Sequence, residues 1–413
     1  MAPHDLRRPF KRAAISDQQK RRELSLQRQV QNRRDAQQQA RFLASTILSL
    51  QNDSPELEAS SMDIVPPTEE HAQNFDVRQA ASLRGPEARL WFAKQLMLPE
   101  WMIDVPEGLG VDWYVCARPA GKRCFVVSSN GITVSRLRNG SMLHRFPSAL
   151  PNGSRSNNST RSGQSYCILD CIFYEPDQTY YVIDMVCWAG MSLYECTAEF
   201  RFFWLNSKLV ETGACGDPSH YHKYRFRTVP IYNCDQEGLK TAYSESSSYV
   251  KDGLMFYNMH AHYQAGNTPL VLVWKDELCS QYVLDTDGKG EIPDQQQVVL
   301  ELLDDGRLAT SDDPPVIFGS LGMAFIEQTG LQTGNLLRFS INQGGLCFAN
   351  GKLEKADFHY VGKSNRSRAF ADSYSKVMFQ YMARHSPLRI EHLFASITSP
   401  KEETSASDID MAG

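Results

Sequence analysis

The chain has 413 residues, 42% hydrophobic and 22% charged, which allows two or three domains with a large core and excludes disorder throughout. Its net charge of −5 hides an asymmetry: residues 1–45 hold 11 Lys and Arg against 4 Asp and Glu, whereas the other 368 residues hold 32 against 44. A basic arm on an acidic body is informative about partners and not about fold. No stretch reaches the roughly 20 consecutive apolar residues of a membrane span. Residues 1–24 carry charges throughout and read as no secretory signal. Ten cysteines without CxxC spacing read as reduced thiols, which suits the cytosol or the nucleus.

In chain order, Ser16-Asp17 caps an expected helix that runs through Gln, Arg, Ala and Leu to about Leu50, without Gly or Pro. Its apolar residues Leu24, Leu26 and Val30 are too sparse to form a stripe, so it should be marginal alone and fold on a partner. Residues 51–85 form a linker; between Asn52 and His71 they hold six acids, no Lys or Arg, and Pro66-Pro67. Order resumes at Pro86 with a predicted helix that spaces Leu90, Ala93, Leu96 and Met97 on one face. Strands are expected at 112–117, 123–128, 165–174 and 180–188, and a loop carrying Arg155 and Arg161 at 151–164. Thr197 caps a helix expected to be aromatic on its inner face. Further strands follow at 253–257, 270–274, 298–303 and 336–341. Hairpin signals stand at Asp305-Gly306 and from Asn342 to Gly345. Helices are expected at 372–383 and after Pro387, then a polar, disordered tail from 399 to 413.

No phosphate-binding Gly-rich loop, zincin helix or nucleophile elbow occurs. His220-Tyr-His222 and His260-Ala-His262 lack a Cys or an acid at ligand spacing and read as ordinary strand or surface histidines. Cys167 and Cys171 share a strand face as small buried hydrophobes. No metal ligand set, catalytic residue or cofactor is expected. Trp101 and Trp274 are either core or stacking platforms for a base; in the latter case Lys122, Arg123 and Arg138 would serve phosphates.

The stretches QLMLPEWMIDVP, PAGKRCFVVSSNG, YCILDCIFYEPDQTYYVIDMVCW, FRFFWLNSKL, DGLMFYNMHAHY and GNTPLVLVW resemble the snurportin family of import adaptors for spliceosomal small nuclear ribonucleoproteins over about residues 94–275. The resemblance implies an α+β fold in which antiparallel sheets like those of capping-enzyme nucleotidyltransferases form a cap-binding domain (86–285). An OB-like closing region with C-terminal helices (286–398) would follow, and a long importin-β-binding helix (1–50) would precede it. It further implies that Trp274 stacks on a 2,2,7-trimethylguanosine ring with a cation–π contribution, that Trp101 forms a neighbouring wall, and that Arg123, Arg138 and Lys122 meet the phosphate bridge. The basic arm would offer Arg7, Arg8, Lys11, Arg12, Lys20, Arg21, Arg22, Arg33, Arg34 and Arg41 to importin-β. Capped small nuclear RNA, importin-β and a recycling exportin are the implied partners, with shuttling between nucleus and cytoplasm.

Five departures qualify the pattern. Arg118 stands where capping enzymes carry the lysine that becomes guanylylated, and a guanidinium is no nucleophile, so no enzyme is expected. Asp170-Cys171-Ile172 lacks the glutamate of the enzymes' metal motif, while Asp184 and Asp252-Gly253 persist. Trp274 lies one residue further from Thr268-Pro269-Leu270-Val271 than in better-known members, and Pro99 replaces a serine. Lys363 and Arg366 fall near a basic motif of the capping enzymes' closing domain whose Asp is missing here. An active guanylyltransferase or RNA ligase, and a module for a different cap, are the alternative functions.

Overall fold

The computed structural model of the chain describes residues 18–30, 93–154, 166–287, 289–349, 352–364 and 368–398. The linker, the tail, Arg155, Arg161, Arg366 and seven of the arm's basic residues (Arg7, Arg8, Lys11, Arg12, Arg33, Arg34 and Arg41) lie outside those ranges. Helix α1 spans 18–30. Then come β1 (Met97–Trp101), α2 (Leu109–Asp112), β2 (Trp113–Pro119), β3 (Lys122–Ser129), β4 (Ile132–Leu137), β5 (Met142–Phe146), β6 (Cys167–Tyr174), β7 (Thr179–Trp188) and β8 (Met191–Ser192). Helix α3 (Ala198–Glu211), β9 (Arg225–Thr228), β10 (Tyr232–Asn233), α4 (Gln236–Ser244), β11 (Lys251–Asn258) and β12 (Gly266–Trp274) complete the first two sheets. The C-terminal part holds β13 (Gln297–Leu302), β14 (Arg307–Ala309), β15 (Ile317–Ser320), α5 (Met323–Thr329), β16 (Leu336–Ala349), β17 (Lys352–Lys363), α6 (Tyr374–His385) and α7 (Ile390–Thr398). The class is α+β, as expected.

The first sheet has the order β1-β12-β11-β2-β10, antiparallel except that β1 runs parallel to β12. The second runs β5-β4-β3-β6-β7-β8, with β9 also paired to β7. Period-2 alternation splits the second sheet between two cores. Phe125, Val127, Ile168, Ile172 and Ile183 face the first sheet. Cys124, Val126, Cys167, Leu169, Cys171 and Val182 face away from it, toward Leu205 and Leu209 of α3. Strand β7 is buried at every position because both its faces are covered, so its sequence reads as one apolar run.

Thr197 caps α3 as expected, accepting from Phe200 N at 3.3 Å. The expectation of an aromatic inner face needs correcting. Arg201, Phe202, Leu205 and Leu209 point inward, while Phe203 and Val210 are 69% and 67% exposed. The buried cation is fully served: Arg201 donates to both Asp184 oxygens at 2.8 Å, to Cys196 O at 2.6 Å and to Ala261 O at 2.8 Å. That one guanidinium ties β7, α3 and the loop after β11 together.

The third sheet has the order β15-β14-β13-β16-β17. A Cβ placed on Gly319 of β15 would lie 3.0 Å from the Phe358 ring of β17, so the two edges curl toward each other. Five strands in this order, with a helix between the third and fourth, have the connectivity of an OB-type barrel. The core is continuous across the expected boundary at 285/286, since Val298, Leu300 and Phe339 share a cluster with Leu254 and Trp274. Two local expectations change. Met97 belongs to a strand and not a helix, and Asn342 to Gly345 mark a register shift inside β16, with Gly345 at φ +62°, where a hairpin was expected.

Replacing Arg201 by Ala strands Asp184 in the core. Urea unfolding should show a loss of about 3–5 kcal/mol, and an unchanged midpoint would contradict the stapling role.

Candidate nucleotide-binding cleft

The ends of β2, β11 and β12 converge on Asp252. Arg118, next to last in β2, and Lys275, directly after β12, both form ion pairs with its carboxylate, and Ser280 Oγ donates to it at 2.7 Å. The approach depends on Gly253, whose φ of +95° suits glycine and where a Cβ would lie 2.6 Å from Trp274 O. Burial alone would push the Asp252 carboxyl up, but Arg118 and Lys275 outweigh it and hold the group below its ordinary value.

Beside this cluster, Arg123 clamps Asp170 with contacts of 3.1 and 2.7 Å and donates to Met97 O at 2.7 Å. Tyr263 Oη completes the Asp170 site at 2.7 Å. Arg138 follows β4 and makes no hydrogen bond to the described residues. Its side chain is exposed along the cleft, yet shielding from water, with Arg123, Arg368 and Arg118 nearby, pulls its guanidinium down to about 10. It therefore remains a cation at neutral pH. Arg368 pairs with Asp372, and Lys376 bridges Asp372 and Asp285 at 3.0 and 2.6 Å. Six cations thus meet four carboxylates, leaving a positive excess centred on Arg138.

Trp101 forms the aromatic wall. Its ring lies 4.8 Å from that of Phe379 in α6, Lys275 Nζ sits 5.7 Å from its centroid, and its backbone N donates to Ser375 Oγ at 3.0 Å. Next to it, a cavity of about 260 Å³ is built by Met102, Ile103 and Lys275, the residues directly following the two tryptophans, and roofed by Phe379 and Leu388. Asp276, Glu277 and Glu391 add carboxylates to its lining.

The sequence-based site is thereby redrawn. Arg123, Arg138 and Trp101 lie together. Trp274 corrects the expectation of a stacking platform: it is 0% exposed, and its indole Nε1 donates to Leu388 O at 2.9 Å. Strand phase decides this, because a one-residue step on a strand turns the side chain to the other face, and β12 turns Trp274 inward. Lys122 is also displaced, its ammonium paired with the exposed Glu175 at 2.8 Å. Arg368 and Lys376 went unnoticed in the sequence, where nothing but their basic character marked them. Lys363 donates to Gly330 O at 3.4 Å on the barrel. Among the described residues no group of three His, Cys, Asp or Glu could hold a metal ion, and no helix is long and apolar enough to cross a membrane. Cys167 and Cys171 are buried free thiols, as expected.

Residues 95–276 match the family model described as Snurportin1, m3G cap-binding domain. That segment belongs to the snurportin family. The matched snurportin segment begins just before β1 and ends just after Lys275, so it contains Trp101, Arg138 and the Asp252 ion pairs to Arg118 and Lys275, while Ser280, Arg368 and Lys376 come from beyond it. Among solved structures, the chain is similar to a mycobacterial DNA ligase D complexed with ATP and MES (TM-score 0.31, 11% identity, 66% of this chain and 96% of that one). A Lig E DNA ligase gives a TM-score of 0.28 with 13% identity, covering 65% and 98% of the two chains. The ligase domain of M. tuberculosis LigD gives 0.30 with 12% identity, covering 66% and 96%. Scores this low carry no functional weight.

Two outcomes follow from this geometry. Asp252, held low, contributes stability that is complete above its unfolded value near pH 4 and is lost as pH falls through its lower folded value. In urea titrations, the gap in stability between the wild type and Asp252→Asn should therefore be constant above about pH 5 and shrink below about pH 4. Trp274→Ala should lose about 3–5 kcal/mol of stability; a fully stable variant deficient only in ligand binding would contradict its placement in the core.

Proposed function

We propose that this chain is a non-enzymatic nuclear import adaptor. It binds the trimethylguanosine cap of small nuclear RNA in the cleft and offers its basic N-terminal arm to importin-β. The observation that carries the reading is the match of residues 95–276 to the snurportin cap-binding domain. The cleft supports it chemically. A cap presents a methylated, cationic base and an anionic phosphate bridge. Trp101 offers an aromatic face to the base, and the neighbouring cavity combines apolar walls with carboxylates suited to a cation. Arg138, with Arg123, Arg118 and Arg368 around it, offers an unsatisfied guanidinium to the phosphates.

In this reading nucleotidyl transfer lacks its usual lysine nucleophile. Arg118 occupies the lysine position implied by the family resemblance and is bound to Asp252. The expected division at 86–285 and 286–398 becomes, in this reading, a cap-binding domain covered by its OB-like neighbour, whose Arg368 reaches the cleft. Shuttling between nucleus and cytoplasm, with return by an exportin, completes the cycle.

Competition between trimethyl and monomethyl cap analogues tests the assignment: the trimethyl form should win, and equal affinities would remove small nuclear RNA as the target. Arg138→Ala should weaken cap binding roughly tenfold, corresponding to one charge-assisted hydrogen bond. It should also make the affinity less salt-dependent by about one ion. A covalent guanylate formed on the protein with GTP and a divalent metal would overturn the non-enzymatic reading.

A further inference from the structure

Helix α1 sits on the body with its polar side inward. Gln18, Arg22 and Gln29, at positions i, i+4 and i+11, are only 1%, 5% and 3% exposed, whereas Leu24 and Val30 are 42% and 56% exposed. This corrects the expectation that a helix without an apolar stripe needs an outside partner in order to fold. Its contacts are specific. Arg21 grips Glu100 with both guanidinium arms, at 2.9 and 3.0 Å, and Gln18 Nε2 donates to Glu100 at 3.3 Å and to Trp101 O at 3.4 Å. Gln29 pairs with the loop after β11 like an added backbone unit, accepting from His262 N at 2.7 Å and donating to His260 O at 3.4 Å. Ser25 Oγ donates to Gln264 Oε1 at 3.2 Å, and the Arg22 guanidinium lies 5.9 Å from the Trp113 ring centroid.

The socket is built for a cation. Glu100 is 2% exposed, and among the described residues its two oxygens are served by α1 alone. Asp104, Glu107 and Asp312 lie within electrostatic range of the same site. A buried carboxylate with no other partner makes departure of the helix unfavourable but not impossible, because leaving re-exposes Glu100 to water. The side chains that close the socket, Arg21 and Arg22, are the ones an acidic protein surface would need.

We propose that α1 is an internal clasp: Arg21, bound to Glu100, and Arg22, buried near the Trp113 ring, are either held there or offered to an acidic protein partner, and not both at once. The identification of that partner as importin-β rests on the function proposed above. The clasp itself does not. Because Glu100 stands beside Trp101 on β1, and Gln18 bonds to Trp101 O, the clasp closes on the same strand that walls the cleft.

The test uses the full chain. Glu100→Gln keeps the shape of the socket and removes its charge; Gln18→Ala/Gln29→Ala opens the clasp from the helix side with Glu100 and every basic residue in place. Circular dichroism confirms that both fold. Trypsin should cut after Arg21, Arg22 and Arg28 at least tenfold faster in both variants, and poly-L-glutamate should bind about tenfold tighter to the double variant. Importin-β should gain similarly. Unchanged cleavage would overturn the clasp, and faster cleavage with unchanged poly-L-glutamate and importin-β affinities would overturn mutual exclusion. Faster cleavage and tighter poly-L-glutamate binding, with importin-β binding neither the wild type nor a variant, would support the clasp and refute the importin-β reading alone.

Discussion

A carboxylate taken out of water must be given a cation, and this fold repeatedly meets that demand by reaching across elements. Asp170 on β6 takes Arg123 from β3, and Asp184 on β7 takes Arg201 from α3. Asp252 on β11 takes Arg118 from β2, and Glu100 on β1 takes Arg21 from α1. Truncating either partner of such a pair leaves the other charged and buried, so each pair fixes register and docking more firmly than its net energy suggests. The sheets could pack on apolar area alone, but the Asp184–Arg201 and Glu100–Arg21 pairs fix where α3 and α1 sit on them.

The same arrangement limits what the buried acids can bind. Asp170, Asp184 and Asp252 are the three acids of the central strands β6, β7 and β11 that take a cation from another element. In this structure each is occupied by a guanidinium. A carboxylate bound by arginine is a poor metal ligand, because the cation already holds the oxygens a metal would need. Of the six cleft cations, Arg138 alone forms no ion pair with the described residues, and the remaining field is suited to holding an anion.

Much of the fold was legible because its strands announce themselves. The expected segments at 123–128, 180–188 and 270–274 fall within β3, β7 and β12. Misreadings have physical causes. Arg201 sits on the buried face of α3, against the rule that charge faces water, because Asp184 waits for it on a separate element 17 residues earlier. The aromatic inner face expected of α3 fails at Phe200 and Phe203, which face water, because hydrophobicity counts area without seeing which face the neighbouring sheet occupies. Trp274 had the right identity but an unread strand phase. Arg368 joins the cleft across more than 200 residues of sequence, which no local pattern encodes, and α1 packs through hydrogen bonds that carry no apolar periodicity.

The hydrogen bond from Trp274 to Leu388 spans 114 residues, and that from Trp101 to Ser375 spans 274. The first reaches the connection between α6 and α7, and the second reaches α6 itself, so both tie strands of the first sheet to segments far along the chain. During synthesis, then, neither contact can form until residues 375 and 388 have been made, and at about 5–20 residues per second the first sheet waits for seconds without them. Chaperone attendance in that interval is what such a topology demands, and a nascent chain stalled before residue 375 would carry a snurportin segment with neither contact made.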